Sequence, residues 1–374
     1  MIFGAHHSMQ ISIANPIEQT VIFVLISAIF FALSYTPKKN YSSLDLTQEL
    51  KGLAILCIIW AHIGYGLSTN QSFLFPLSIL SGVSVNLFLF LSGYGLTASQ
   101  LKREGTIYSF YKKRLTKIFI PFWIVLIIFL VLDYIILSIH YSPQFIIQSL
   151  IGIFNSASMF TDFNSPLWYF SLILLYYLLF PLIFFKRYPW VSAIFLYLTV
   201  WFLVQSNFEF LEGVIGLYEV HMLAFPLGII AAWLVSTKAS YAQSFTNACS
   251  KLSGLSYYAI ITILLFSISY FALHGNIGSK AILEESTSIG IMFAIILLFI
   301  LKKRESKLLS LFGLYSYEIY LFHWPLLSRY DLLYKELPAW LVTLLYLFIF
   351  IAIAVLFKQL SDFISQKIKH NKTG

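Results

Sequence analysis

Apolar runs long enough to cross a lipid bilayer recur from one end of this chain to the other, and no other feature restricts its fold so severely. Hydropathy places eleven spans, at 17–36, 49–68, 73–98, 118–140, 166–185, 189–205, 214–235, 255–273, 286–301, 309–328 and 338–357. Outer-membrane strands would alternate apolar and polar positions over about ten residues; these runs do not. A helix satisfies its own backbone in hydrocarbon, so the expected fold class is all-α, a polytopic integral membrane bundle of about eleven transmembrane helices. Only 11% of the residues are charged, against about 25% in a soluble domain. The opening "MIFGAHHSMQ" lacks a basic n-region and the run after it is long enough to span, so no cleavable signal peptide is expected. Cys57 and Cys249 are far apart and Cys57 lies within a span, which argues against a disulfide framework or a zinc site. No metal is expected.

The basic residues fix how the spans thread. Loops alternate between two sides, and twenty of the 24 lysines and arginines fall on one of them: Lys38, Lys39, Lys102, Arg103, Lys112, Lys113, Arg114, Lys117, Lys186, Arg187, Lys238, Lys251, Lys302, Lys303, Arg304, Lys307, Lys358, Lys367, Lys369 and Lys372. The other side holds Lys280, Arg329 and Lys335, and Lys51 lies inside a span. Cytoplasmic loops gather Lys and Arg, so the rich side is expected to be cytoplasmic, with the N-terminus outside and the C-terminus inside. A span missed or invented midway would scramble the bias beyond that point, and it persists to the end. The net charge of +8 is thus a topology signal that needs no nucleic-acid partner. The loops leave no room for a soluble catalytic module, so any chemistry belongs to the helices and their connections.

Ionisable side chains within spans are costly and by default mark functional sites. Lys51, His62, Glu318 and His323 are the candidates, with Glu49 and Asp133 as further possibilities. In "LKGLAILCIIWAHIGYG", Lys51 and His62 are about 16 Å apart along a helix, roughly half the hydrocarbon thickness. With Lys51 at the cytoplasmic end, His62 sits near the midplane, where a neutral imidazole could take a proton from a hydroxyl. The plain alternatives are a histidine bonded to a neighbouring helix and a lysine that snorkels to the interface. Arg114 and Lys117 in "YKKRLTKIFIPFW" share a helix face just before Pro121. Such a face suits a phosphate-bearing ligand; anchoring to anionic lipid is the ordinary use of such a loop. In "YSYEIYLFHWPLL", Ser316, Tyr320 and His323 fall on one face. Glu318 lies about 140° around the helix from His323 and needs a partner from another span. His6, His7, His140, His221, His274 and His370 lie at termini, span ends or loops, His221 being the most ambiguous.

Five phrases, in order, resemble those of the acyltransferase 3 family of membrane-bound acyltransferases, over about residues 45 to 357. They are Lys51 to His62 in "LKGLAILCIIWAH", a basic residue and a histidine with ten positions between them; "GVSVNLFLFLSGYGL" with Gly82, Ser92 and Gly93; "YKKRLTKIFIPFW"; "PLWYFSLILLYYLLFP" with Trp168 and Pro181; and "YSYEIYLFHWPL". The resemblance implies three regions: an extra transmembrane helix and linker at 1–44, a ten-helix acyltransferase membrane domain at 45–357, and a basic cytoplasmic tail at 358–374. It implies His62 as catalytic base, with Glu318 at the acidic position of the tenth span. Arg114 and Lys117 would contact an acyl-CoA donor, with Lys51 beside them, and Trp168, Tyr320 and His323 would contact substrate. Two positions depart from the pattern. Lys117 keeps the charge but loses the bidentate grip of the arginine often found there, and Asn86 stands where an acidic residue is common.

The activity so implied is transfer of an acyl group, acetyl from acetyl-CoA first of all, onto a hydroxyl of a cell-surface polysaccharide or its lipid-linked precursor. His62 would serve as base or as a transient acyl carrier. A larger group such as succinyl suits the same parts. A transporter relaying protons through buried His and Glu is the rival from another class, although no inverted repeat is visible. Expected partners are membrane lipid, the acyl-CoA, a glycan acceptor and polysaccharide synthesis or export machinery, in the bacterial cytoplasmic (inner) membrane.

Overall fold

The computed structural model describes residues 10–37, 43–102, 105–206, 208–274 and 281–370. His6, His7, Lys38, Lys39, Arg103, Lys280 and Lys372, named above, lie outside the described residues. The helices are α1 (Pro16–Ser34), α2 (Ser43–Ala61), α3 (Ser81–Lys102), α4 (Ile107–Leu137), α5 (Pro143–Leu150), α6 (Trp168–Ile183), α7 (Pro189–Gln205) and α8 (Ile215–Glu219). They continue as α9 (Ala224–Thr237), α10 (Ala239–Lys251), α11 (Gly254–His274), α12 (Ala281–Leu301), α13 (Lys307–Leu314), α14 (Ser316–Arg329) and α15 (Ala339–His370). A short antiparallel ribbon joins β1 (Tyr35–Pro37) to β2 (Arg304–Ser306), with Thr36 opposite Glu305. The protein is an all-α polytopic bundle.

Nine helical stretches among the described residues are long and apolar enough to cross a bilayer. Two of the eleven expected spans look different. The sixth is α7, a 17-residue apolar helix that falls short of that length. The tenth is divided into α13 and α14 at Tyr315, whose φ of −106° and ψ of 10° leave the helical region. On the outside of the bundle α1, α4 and α11 present Leu33, Ile135 and Leu255 outward, and no residue of α11 is buried. Apolar surface of that extent is stable in lipid and a liability in water.

Close backbone contact sets the level of the central helices. A Cβ on Gly52 of α2 would strike the carbonyl of Leu309, and one on Gly313 of α13 would strike that of Gln48. Lipid supplies no hydrophobic drive between helices, so small residues that let backbones touch are what hold them. Gln48 faces Gly313 and Gly52 faces Leu309, so α2 and α13 run antiparallel at this crossing. Ten positions beyond each glycine stand His62 and His323.

Two buried ion pairs pin opposite ends of the bundle. Glu49 of α2 is buried against Lys302, beyond α12, and accepts from the Ser306 amide of β2. At the other end Arg329 of α14 pairs with Asp133 of α4, while Tyr141 and Tyr330 each donate a hydroxyl to that carboxylate at 2.6 Å. Arg329 also donates to the Phe163 carbonyl at 2.7 Å. Burial pushes the Tyr141 hydroxyl above the usual phenol range, so it remains a donor. Glu49 and Asp133 are therefore both engaged in holding helices together. Removing one partner of a buried pair costs about 3–5 kcal/mol, because the other charge is stranded. Asp133→Asn should lower the unfolding temperature in detergent measurably, and an added Arg329→Met should restore part of the loss. A double variant as unstable as the single one would show that the stranded cation is not the cause.

Candidate active site

Three of the side chains that matter most stand where a helix changes form. α2 ends at Ala61 and the chain continues as a π turn, His62–Leu67, closed by the Ser68 amide on the Ile63 carbonyl at 3.0 Å. π turns are uncommon and collect at functional sites. Trp168 stands at the junction of a 3₁₀ turn, Ser165–Leu167, with α6. His221 lies in the break between α8 and α9. Irregular backbone at membrane depth is tolerated where it lines a cavity, and all three residues line one cavity of about 560 Å³.

A proline opens the helix that carries His323, and a side chain from a neighbouring element repairs it. Pro325 in α14 has no N–H for the Leu321 carbonyl, and Asn164 Nδ2 donates to it instead at 2.8 Å. Just ahead of α9, the Tyr176 hydroxyl donates to the Met222 carbonyl at 2.8 Å. The segment ahead of α1 contributes too. Ile11 bonds through its backbone to Leu67 at 2.8 Å and Thr69 at 2.9 Å, holding the far end of the π turn.

His62 and His323 meet across α2 and α14. His62 Nδ1 lies 2.7 Å from His323 Nε2, with the ring planes 13° apart. The protons on this pair follow from what lies behind it. His323 Nδ1 faces the carbonyl oxygens of Ile319 and Tyr320, each at 3.0 Å, and only an N–H can face two acceptors. A neutral ring protonated at Nδ1 has a bare Nε2, so His62 Nδ1 is the donor in the pair. The His62 Nε2 lone pair is left without a protein partner among the described residues, and His62 lines the cavity whereas His323 does not. His323, expected to touch substrate, instead stands wholly buried behind His62 with both nitrogens engaged, because its Nδ1–H donates to the backbone carbonyls of its own helix. Tyr320 lines the cavity with its ring, but its hydroxyl is committed to the Pro166 carbonyl at 2.7 Å and the Phe170 amide at 3.1 Å.

One end of the cavity is cationic. Lys51, Arg114, Lys117 and Lys358 line it together with Glu318, and Lys51, Arg114 and Lys117 lie close enough to repel one another. Glu318 finds its partner on another span, Lys358 of α15 at 3.7 Å. Among the described residues no carboxylate lies within ion-pair distance of Lys51, Arg114 or Lys117. The Tyr317 hydroxyl donates to the Ile118 carbonyl at 2.6 Å and ties α14 to α4 at this level. Asp362 lines this end as well, so four cations face two carboxylates, and such an excess of positive charge is a binding surface for a multiply charged anion.

The other end holds groups that sequence alone underrated. His221 is 4% exposed, its Nδ1 lies 2.8 Å from Asn86 Oδ1, and Asn86 Nδ2 donates to Ser288 at 3.0 Å. Trp168 stacks on the His221 ring at 5.6 Å and 17°. The available signal was Asn86 and Ser288, two polar residues inside apolar spans, which need partners wherever lipid excludes water. Nothing in the sequence said that the partner was His221.

A family model described as an acyltransferase domain matches residues 49–359. No curated protein and no solved structure matches the chain. The histidine pair has its own test. In the wild-type protein ¹⁵N NMR should show His62 neutral with its proton on Nδ1, and His323→Phe should turn it into a mixture of tautomers. An unchanged nitrogen pattern would mean that His323 does not set the proton's place.

Proposed function

The chain belongs to the acyltransferase 3 family of membrane-bound acyltransferases, and from that membership we propose that it carries an acyl group, acetyl in our reading, from a coenzyme A thioester to a hydroxyl of a cell-surface polysaccharide or its lipid-linked precursor. The single observation behind this is a shared cavity. The bare Nε2 of His62 opens into the same space as Lys51, Arg114, Lys117 and Lys358, and that space continues to Trp168 and His221 at the other end. A donor bearing several phosphates would be held by the cations, with its thioester arm reaching inward. The basic end is then the cytoplasmic one, in accord with the positive-inside bias. The acceptor would come from the opposite end.

The chemistry needs one base and no redox partner. As the acceptor hydroxyl attacks the thioester carbonyl, His62 Nε2 takes its proton and the new C–O bond forms. The tetrahedral intermediate collapses with loss of the C–S bond. The departing thiolate then recovers the proton from the imidazolium, so the base is regenerated. His323 acts through His62 by keeping Nε2 free, and we assign it that positioning role. Glu318, which the resemblance placed with the catalytic groups, is here the counter-charge that holds Lys358 beside Lys117, and its contribution to turnover runs through the donor site.

Two measurements separate the parts. His62→Ala should lower acyl transfer by about 10²–10⁴-fold, the usual worth of a general base, while acyl-CoA binding stays unchanged. Wild-type activity in that variant would end the base assignment. Arg114→Ala should weaken acyl-CoA binding, the more so at low salt, where charges are least screened. Equal affinity at every salt concentration would return Arg114 to lipid anchoring.

A further inference from the structure

The cavity contains a second imidazole in the same state as the first. The Asn86 amide is oriented by its donation to Ser288, so its oxygen faces His221 and accepts from Nδ1–H. His221 Nε2 is then a bare acceptor. It has no protein partner among the described residues, and its ring lines the cavity while being 4% exposed. The residue is buried, yet this nitrogen is not sealed among protein atoms, and the cavity beside it is large enough for a ligand. The ring cannot turn away, since Trp168 stacks on one face and the Asn86 bond holds one edge.

The charges around His221 limit what that ligand can be. Lys51, Arg114, Lys117 and Lys358 all lie at the other end by the direction of their helices. Among the described lining residues the charged group near His221 is Glu284, at the start of α12. Among the described residues no cation lines that end, so an anion has no described charge to bind. A hydroxyl, by contrast, can donate to a bare nitrogen and carries no charge. We propose that this end of the cavity is a subsite for a neutral sugar, in which His221 Nε2 accepts a hydrogen bond from an acceptor hydroxyl. The subsite rests on the acyl-transfer reading above for the identity of its ligand as acceptor. His221 is a positioning and specificity residue. It holds one hydroxyl so that another faces His62, and Asn86 and Ser288 keep its proton on the far nitrogen.

The full-length protein in lipid nanodiscs, offered neutral methyl hexopyranosides and the matching uronic acids, tests this. Equilibrium binding and acetyl transfer from acetyl-CoA are both measured for wild type, His221→Phe and His221→Gln. Phe keeps an aromatic ring against Trp168 but no acceptor, whereas Gln restores one. The wild type should bind a neutral glycoside and bind its uronate at least tenfold more weakly. His221→Phe should raise Kd and KM for the glycoside about tenfold, the usual effect of one lost hydrogen bond, with KM for acetyl-CoA unchanged. His221→Gln should recover most of that loss. Binding that is equal in wild type and His221→Phe, or donor and acceptor KM rising together, overturns the subsite. So does failure of every neutral glycoside to bind. If the glycosides bind through His221 but receive no acetyl group, the subsite stands and the acyl-transfer reading falls. If transfer proceeds and His221→Phe leaves glycoside KM alone, the reverse holds.

Discussion

Within hydrocarbon there is no water to satisfy a polar group, so each one must be met by the protein itself or open onto a cavity. That constraint organises this molecule. A hydrogen bond between membrane helices is worth little in stability, about 0.6 kcal/mol on average, yet it fixes orientation absolutely when no competing partner exists. The bond between His62 and His323 is of that kind. Two carbonyls of α14 take one proton, the His323 ring passes on the demand, and the outcome is a lone pair on His62 facing the cavity. Asn86 and Ser288 impose the same order on His221. Stability comes from elsewhere, from the buried Glu49–Lys302 and Asp133–Arg329 pairs and from the backbone contact at Gly52 and Gly313.

The helices around the cavity are interrupted where the chemistry lies. An unbroken helix keeps its polar backbone to itself and offers a ligand only side chains. The π turn at His62, the 3₁₀ start of α6 and the gap between α8 and α9 widen or redirect the chain beside the cavity. The carbonyl freed by Pro325 is claimed by Asn164, and the Met222 carbonyl ahead of α9 by Tyr176, both from other elements. Those bonds couple the loop ahead of α6 to the histidine helix, and α6 to the His221 break. The segment before α1 is likewise part of the support, since Ile11 holds the end of the π turn.

Charge is distributed along the cavity as unevenly as along the sequence. Four cations gather at one end, relieved by Glu318 and Asp362, and the far end has the imidazole of His221, the indole of Trp168 and the Glu284 carboxylate. On the reading proposed above, such a gradient would orient a ligand pair without moving parts, a polyanion at one mouth and an uncharged hydroxyl compound at the other.

Much of this was legible in the chain before any coordinates. The apolar runs required a helical membrane bundle, because hydropathy is a local property of a sequence. The same is true of the suspicion cast on Lys51, His62, Glu318 and His323, each conspicuous for being ionisable inside a span. Partnership is not local. That His323 stands behind His62, that Glu318 reaches Lys358, and that an inconspicuous histidine at 221 shares the cavity depend on which helices touch and at what height. Glycine contacts and proline breaks set that height, and only the packed bundle reveals it, because residues 261 positions apart in the sequence are brought to 2.7 Å by neighbours that neither of them encodes.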